Sequence, residues 1–151
     1  MASRDFYVIC DNLRSLYNVG SIFRTSDALG VKKIYLGGIT GTPQQKGVQK
    51  VALGAEKSVP WEHRLQAWRV VEKLKKQGIT VLALELTPGS IDLRRFKPQF
   101  PLALVVGNEV DGISENVLKR CDGVISIPMK GIKESLNVSV AFGIAAYELI
   151  N

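Results

Sequence analysis

The chain has 151 residues, of which 46% are hydrophobic and 23% charged, so it is long enough for one domain with a substantial core. Its formal net charge of +6 favours an anionic partner, with nucleic acid first and an acidic membrane surface second. No apolar stretch approaches the length of a membrane helix, and the N-terminus lacks a signal-peptide core. Composition therefore excludes fibrous and membrane-spanning classes and predicts one soluble intracellular domain over residues 1–151.

Short runs rich in β-branched and aromatic residues alternate with helical patterns along the chain. The runs predict strands at 6–10, 33–36, 79–86, 102–106 and 124–128. Their nearly continuous apolar character indicates strands covered on both faces, as in a parallel sheet. The helical patterns predict helices at about 19–29, 62–77, 114–121 and 137–150. This alternation predicts an α/β domain with a mostly parallel sheet flanked by helices.

Two segments differ sharply in how clearly they are patterned. The helical pattern over 62–77 sets Leu65 and Leu74 on one face and stops at Gly78. The segment 37–60 is instead rich in glycine, lysine and glutamine, and it predicts a mobile surface segment with a short helix.

Several familiar site types are missing from the sequence. Cys10 and Cys121 lack the close spacing of a zinc site or redox pair, which predicts a reducing, cytoplasmic setting. His63 is the only histidine, so neither a Ser-His-Asp triad nor a histidine-rich metal site is expected, and we interpret His63 as a surface helix residue. The usual glycine-rich nucleotide fingerprints are absent as well. We therefore expect no metal.

The first polar turn follows the first strand, in "NLRSLYNVGSIFRTSDALGV". Asn18 can cap the first helix, and Gly20 permits close approach of a ligand or another backbone segment. Arg24 falls among residues that look buried, and a buried arginine needs an anionic partner. The alternative is a surface pair with Asp27, which stabilises little. The residues alone leave both interpretations open.

The second polar turn is "LALVVGNEVDGIS", where a strand runs directly into Gly107, Asn108 and Glu109. Ligands of open α/β sheets bind at the carboxyl ends of the strands, so these side chains are candidates for a site. The alternative is a glycine-containing turn in which Ser114 caps the next helix.

The third polar turn is "ISIPMKGIKESLNVSVAFGIAAYEL". Ser135 or Asn137 can cap the last helix, while Lys130 and Lys133 add positive charge to the loop. Taken alone, the stretch is more typical of a capped helix with a solvated loop. Three such turns, each after an apolar strand, favour a site instead.

Together, the three stretches resemble the three motifs of the SpoU/TrmH family, within the SPOUT superfamily of S-adenosylmethionine-dependent RNA methyltransferases. "NVGSIFRTSDALG" resembles the first motif, "LVVGNEVDGIS" the second and "SIPMKGIKESLNVSVAFGIAAYE" the third. The resemblance implies a deep C-terminal trefoil knot, here involving the loops 84–90, 107–114 and 127–137. It also implies a homodimer, which suits the broad apolar surface of the last helix.

The resemblance also implies roles for individual residues. It assigns to catalysis Asn18, Arg24, Glu109, Ser135 and Asn137. It assigns to binding of S-adenosyl-L-methionine Leu84, Gly107, Ile127, Met129 and Leu136.

The implied reaction transfers a methyl group to a ribose 2′-hydroxyl of tRNA or rRNA. In the family the counterpart of Arg24 is given the role of general base. A guanidinium gives up its proton too reluctantly to be a good base, however. We therefore interpret Arg24 as a residue that holds a phosphate and stabilises the developing alkoxide.

The chain resembles a bare catalytic domain without an added RNA-binding domain, so its own basic surface would have to bind RNA. Such phosphate contacts weaken with salt and select no sequence. Two alternatives are a non-catalytic RNA-binding module on the same fold and an unrelated α/β enzyme for a small anionic substrate. The candidate RNA-binding residues are Arg14, Lys46, Lys50, Arg94, Arg95, Lys97, Lys130 and Lys133.

Overall fold

The computed structural model describes residues 4–151, and a single parallel sheet organises them. The sheet order is β3-β2-β1-β6-β4-β7-β5, and every adjacent pair is parallel. The predicted α/β class with a mostly parallel sheet is confirmed. The strands are β1 Phe6–Asp11, β2 Lys33–Gly37, β3 Trp61–Arg64, β4 Thr80–Leu84, β5 Ile91–Asp92, β6 Leu102–Gly107 and β7 Gly123–Ser126.

Helices cover both faces of the sheet. On one face, Val8 of β1 shares a core with Phe23 and Phe142, whereas the next residue, Ile9, packs with Leu74 on the other face. Because side chains alternate along a strand, a strand covered on both faces reads as a continuous apolar run. The helices are α1 Leu16–Leu29, α2 Lys46–Ala52, α3 Ala67–Lys76, α4 Glu115–Leu118 and α5 Val138–Ile150, with 3-10 turns at Ala55–Lys57 and Leu93–Arg95.

The predicted helix over 62–77 is wrong in its first five residues. Residues Trp61–Arg64 form the edge strand β3, which pairs with β2, and α3 begins only at Ala67. Leu65, predicted to face the core, is 84% exposed. His63 therefore lies in a strand, where its Nε2 is 2.7 Å from the carbonyl oxygen of Gly38. Pairing with β2 overrides the helical spacing of the apolar residues.

The segment 37–60 packs against α1 and is not a free surface loop. Val48 and Ala52 of α2 are buried. A Cβ on Gly20 would lie 2.7 Å from the carbonyl oxygen of Val48, so the absence of a side chain lets the two helices touch. The close approach predicted at Gly20 is thus confirmed, and the approaching group is the backbone of α2. Across residues 4–151, no helix is both long and apolar enough to cross a membrane.

Candidate active site

A cavity of ≈ 900 Å³ opens at the carboxyl ends of β4, β6 and β7. In the sheet, β2 and β3 lie on one side of β1, whereas the four later strands, β4 to β7, lie on its other side. The crevice between β1 and β6, which borders this cavity at β6, is therefore the point where strand order reverses, and open α/β sheets bind ligands near that point. The cavity is lined by the segments 84–86, 106–110 and 131–138, with further contributions from Gly112, Ser126, Ile127, Met129 and Ala141.

A chain of hydrogen bonds joins the three polar turns beside this cavity. Nδ2 of Asn137 donates to Oδ1 of Asn18 at 3.1 Å, and Nδ2 of Asn18 donates to Oε2 of Glu109 at 2.9 Å. The backbone N–H groups of Arg14 and Ser15 donate to the same carboxylate at 2.8 and 2.9 Å. Asn18 is only 4% exposed, so both ends of its amide are used inside the protein. One residue from each motif therefore belongs to a single network.

Glu109 is held in its ionised form by this network. Burial alone would raise the pKa of its carboxyl group, but the donors from Arg14, Asn18 and Ser15 outweigh that effect and hold the pKa below its ordinary value. A carboxylate that accepts three hydrogen bonds is a poor proton acceptor. Glu109 is suited instead to fixing the start of α1 against the loop that follows β6.

The helix caps differ in part from the sequence prediction. Asn137 caps α5, because its Oδ1 accepts from the backbone N–H groups of Ser139 and Val140 at 2.9 and 3.2 Å. Ser135 does not serve as this cap. The prediction that Asn18 caps α1 is wrong: α1 begins earlier, and Oγ of Ser15 accepts from the N–H of Asn18 at 3.2 Å. This frees the Asn18 side chain for the network.

The loop after β6 is tightly built. A Cβ on Gly107 would collide with the backbone of Gly112 and Ile113, so close approach at Gly107 is needed for the turn itself. Oδ1 of Asn108 accepts from two backbone N–H groups of the loop, and its Nδ2 donates to the carbonyl oxygen of Asn12 at 2.7 Å. Asn108 thereby links the ends of β6 and β1.

Ser114 does not cap the following helix with its side chain, contrary to the predicted alternative. Its backbone N–H donates instead to Oδ2 of the buried Asp11 at 2.7 Å. Asp11 and Asn12 are functional candidates that sequence reasoning missed, and their position at the end of β1 is the signal that could have found them.

All five residues predicted to bind the cofactor line the cavity: Leu84, Gly107, Ile127, Met129 and Leu136. The volume falls in the usual range for small-molecule sites, about 300–1,000 Å³. The lining is mixed, because apolar side chains share it with polar ones that include the carboxylates of Glu85 and Glu109. This lining fits a molecule with a flat heterocycle, a hydroxylated sugar and a cationic centre.

Arg24 lies apart from this cavity. It is exposed rather than buried, and it lies in a second groove of ≈ 840 Å³ between α1 and α5. Within residues 4–151 no ion pair joins it to Asp27, whose carboxylate accepts from Oγ of Ser58 at 2.6 Å. The two interpretations of Arg24 drawn from its neighbours, a buried arginine and a surface pair with Asp27, are therefore wrong. The other four residues predicted as catalytic are in the network or, like Ser135, line the cavity.

The predicted RNA-binding residues are all exposed and fall in three places. Lys46 and Lys50 lie one turn apart on α2. The remaining ones lie near the cavity (Arg14 and Lys133) or along the groove and the turn beside it (Arg94, Arg95, Lys97 and Lys130). Among the described residues, no three His, Cys, Asp or Glu side chains come together as a metal site would require.

Comparison with known proteins identifies the family. The sequence model of the SpoU rRNA Methylase family matches residues 5–147. YacO of Bacillus subtilis (strain 168), whose name places it in the TrmH family of tRNA/rRNA methyltransferases, is 35% identical over 144 residues, covering 95% of this chain and 57% of that protein. The tRNA (guanosine(18)-2′-O)-methyltransferase of Aquifex aeolicus (strain VF5) is 35% identical over 148 residues, covering 96% of this chain and 68% of that protein.

Solved structures agree with the sequence comparison. The SpoU methyltransferase AviRb from Streptomyces viridochromogenes, in complex with the cofactor AdoMet, superposes with a TM-score of 0.90 at 26% identity, covering 99% of this chain and 61% of that one. This chain thus spans between half and three quarters of the length of these relatives. The family predicted from three motifs is confirmed, and the chain belongs to the SpoU family of methyltransferases.

Proposed function

We propose that this chain transfers a methyl group from S-adenosylmethionine to a ribose 2′-hydroxyl of tRNA or rRNA. The observation that carries the proposal is the hydrogen-bonded network of Asn18, Glu109 and Asn137 beside a cavity of suitable size and lining. The activity for which the Aquifex relative is named supports the reaction, and the AdoMet complex of AviRb supports the cofactor.

The cofactor would be held by the inner wall of the cavity, where Leu84, Ile127 and Met129 are apolar and Gly107 exposes backbone. When bound, S-adenosylmethionine supplies an activated methyl group on a sulfonium. The task of the protein is then alignment and exclusion of water, and good alignment alone can lower such a barrier by about 7 kcal/mol. The network suits this task because it fixes three loops relative to one another.

The proposed roles follow from chemistry. Asn18 and Asn137 position the loops around the cavity, whereas Glu109, ionised and occupied by three donors, organises the start of α1. Ser135 contributes a hydroxyl to the cavity. Arg24 supplies a planar guanidinium that binds a phosphate and stabilises the developing alkoxide.

The direct test incubates the protein with methyl-labelled S-adenosylmethionine and total RNA, and then maps labelled nucleosides by mass spectrometry. We expect label only in 2′-O-methyl nucleosides. Label on a base, or cofactor binding without transfer to any RNA pool, would contradict the proposal and favour a base methylase or a non-catalytic RNA-binding module, respectively.

We also propose that the chain acts as a homodimer through the groove between α1 and α5. On α5 the apolar side chains Val140, Ile144 and Tyr147 are 50%, 45% and 61% exposed. Their spacing puts them on one side of the helix, next to the groove. A contiguous apolar surface of this kind is typical of a subunit interface, and a second copy is its simplest partner. The trefoil knot, also implied by the family, stays a prediction.

The dimer can be tested with Ile144→Glu, which places a charge in the apolar groove. Burying an unpaired carboxylate costs several kcal/mol, so we expect this variant to be a monomer in analytical ultracentrifugation while the wild type is a dimer. Leu65→Glu is the control, because Leu65 is also an exposed apolar residue but lies between β3 and α3. A dimeric Ile144→Glu protein would refute this interface.

RNA binding is expected to depend on the α2 lysines. Gly47 of α2 packs on Leu16 in the first turn of α1, so Lys46 and Lys50 flank the end of α1 that carries the network. Reversing both charges in Lys46→Glu/Lys50→Glu should weaken RNA binding and reduce the slope of log K against log salt by about 2.

The matched control for this variant is Lys73→Glu/Lys76→Glu, which makes the same charge change on α3, over the other face of the sheet. Filter binding of labelled tRNA across a salt series measures both variants. An equal loss in the two variants would indicate a non-specific effect of net charge and would refute the proposed α2 contact.

We further propose that residues 1–151 form one catalytic domain that acts in the cytoplasm. The family match over residues 5–147 and the single sheet support one domain. Both Cys10 and Cys121 are free thiols, as is usual for a reducing compartment.

A further inference from the structure

Glu85 is a carboxylate in the cavity that takes no part in the network of the three motifs. It is the first residue after β4, and its Oε2 accepts from the backbone N–H of Ile113 at 2.8 Å. A Cβ on Gly112 would lie 2.9 Å from both carboxylate oxygens, so the carboxylate lies against the Gly112 backbone. Glu85 is thereby held in one place by the loop after β6.

One oxygen of this carboxylate remains available to a ligand. Within residues 4–151, Oε1 of Glu85 accepts no hydrogen bond, and it is not among the buried unpaired atoms of this region. A carboxylate oxygen has two acceptor positions, so Oε2 also retains one beside its bond to Ile113. The group therefore has three acceptor positions left, more than the two that a pair of hydroxyl groups would need.

The order of the strand ends indicates what Glu85 would meet. Along the cavity the ends follow as β7, β4, β6 and β1, at intervals of about 4.8 Å. Ile127 and Leu84 make the β7 and β4 end apolar, whereas Asn108 and Glu109 make the β6 end polar, next to β1. A ligand with an apolar heterocycle at one end and its reacting group at the other would pass its central portion over Glu85.

We propose that Glu85 binds the ribose of the cofactor by accepting hydrogen bonds from its two vicinal hydroxyls. The inference rests on the proposed function, since it takes S-adenosylmethionine as the ligand. Acidic side chains near strand ends bind ribose hydroxyls in other nucleotide-binding α/β folds, and hydrogen bonds to an ionised acceptor are stronger than neutral ones. Glu85 would thus select a ribonucleoside cofactor.

The test measures binding by calorimetry for S-adenosylhomocysteine, its 2′,3′-dideoxy analogue and its analogue without the amino group. In Glu85→Gln the new side chain still offers an oxygen to Ile113 N–H, so the melting temperature should be unchanged. We expect this variant to bind S-adenosylhomocysteine and the amino-free analogue about tenfold more weakly, and the dideoxy analogue as the wild type does. The matched control is Glu134→Gln, an exposed carboxylate at the cavity rim, with all three affinities unchanged.

Three results would overturn the assignment. Equal weakening of the dideoxy analogue would show that the hydroxyls are not the partner. Weakening confined to ligands with an amino group would assign Glu85 to the ammonium. A lower melting temperature with unchanged affinities would make Glu85 only a support for the loop. If the wild type binds none of the three ligands, the proposed cofactor fails, and this inference fails with it.

Discussion

Asn137→Ala is expected to abolish methyl transfer while lowering the free energy of unfolding by about 2 kcal/mol, from the lost helix cap and the unpaired oxygen of Asn18. Asn137 has two separable tasks. Its Oδ1 accepts from the first N–H groups of α5, and its Nδ2 donates to Asn18. Removing the side chain breaks the hydrogen bonds of both atoms, and it leaves the amide oxygen of the buried Asn18 without its donor.

Asn137→Asp separates the two tasks. A carboxylate is as good a cap as an amide and is favoured by the helix dipole, so stability should be retained. It cannot donate to Oδ1 of Asn18, however, and it adds a negative charge near Glu109. A misplacement of about 1 Å can lower a rate by about 100-fold. We therefore expect Asn137→Asp to lose at least about 100-fold in the rate of methyl transfer.

Thermal unfolding and single-turnover methyl transfer, measured on both variants, distinguish the roles. If Asn137→Asp recovers stability and activity together, Asn137 is only a cap, and the network has no part in the reaction. If stability recovers and activity does not, the bond to Asn18 is what the reaction requires.

The sheet and the location of the site could be predicted because both depend on local patterns. A strand such as Leu102–Gly107 is apolar on both faces and ends in a glycine, so its burial and its polar neighbour Glu109 can be read directly. The same logic located the turns that carry Asn18 and Asn137. Strand ends in a parallel sheet meet at one edge, and this rule brings distant motifs together.

The features that were not predicted depend on contacts between distant segments of the chain, and the periodicity of apolar residues does not encode such contacts. Trp61–Arg64 is a half-polar edge strand, and only its pairing with β2 distinguishes it from the start of a helix. Asn18 was predicted as a cap because nothing local indicated that Ser15, three residues earlier, begins α1. Glu85 was not predicted as a site residue, because a single acidic residue after a strand is common. Its significance lies in its contact with the loop at Gly112.

The exposure of Arg24 was not predicted either. Its neighbours Ile22 and Phe23 are buried, but a helix turns 100° per residue, so adjacent residues need not share a face. Arg24 follows Asn18 by six residues, which is about 9 Å along the helix axis. It lies at the groove with Ile144 and Tyr147, where we propose that a second copy binds.

Arg24→Ala is accordingly expected to reduce turnover by about 100- to 1,000-fold, the usual loss when one stabilising donor is removed. The affinity for S-adenosylmethionine should stay the same, because Arg24 does not line the cofactor cavity. Calorimetry and single-turnover kinetics measure the two quantities. Arg24→Lys keeps the charge but loses the planar pair of donors, so we expect it to recover only part of the rate. A weakened cofactor affinity in Arg24→Ala would contradict this assignment.

The position of Arg24 in the groove further predicts that it serves the active site of the partner subunit. Arg24→Ala and Asn137→Ala proteins, each inactive alone, can be co-expressed so that hybrid dimers form. One site of each hybrid then combines an intact Asn137 with the intact Arg24 of the other subunit, while the second site lacks both. Random mixing should restore about a quarter of the wild-type turnover, since half of the dimers are hybrids and each has one complete site. If Arg24 acts within its own chain, every site in the mixture lacks one of the two residues, and the hybrids stay inactive.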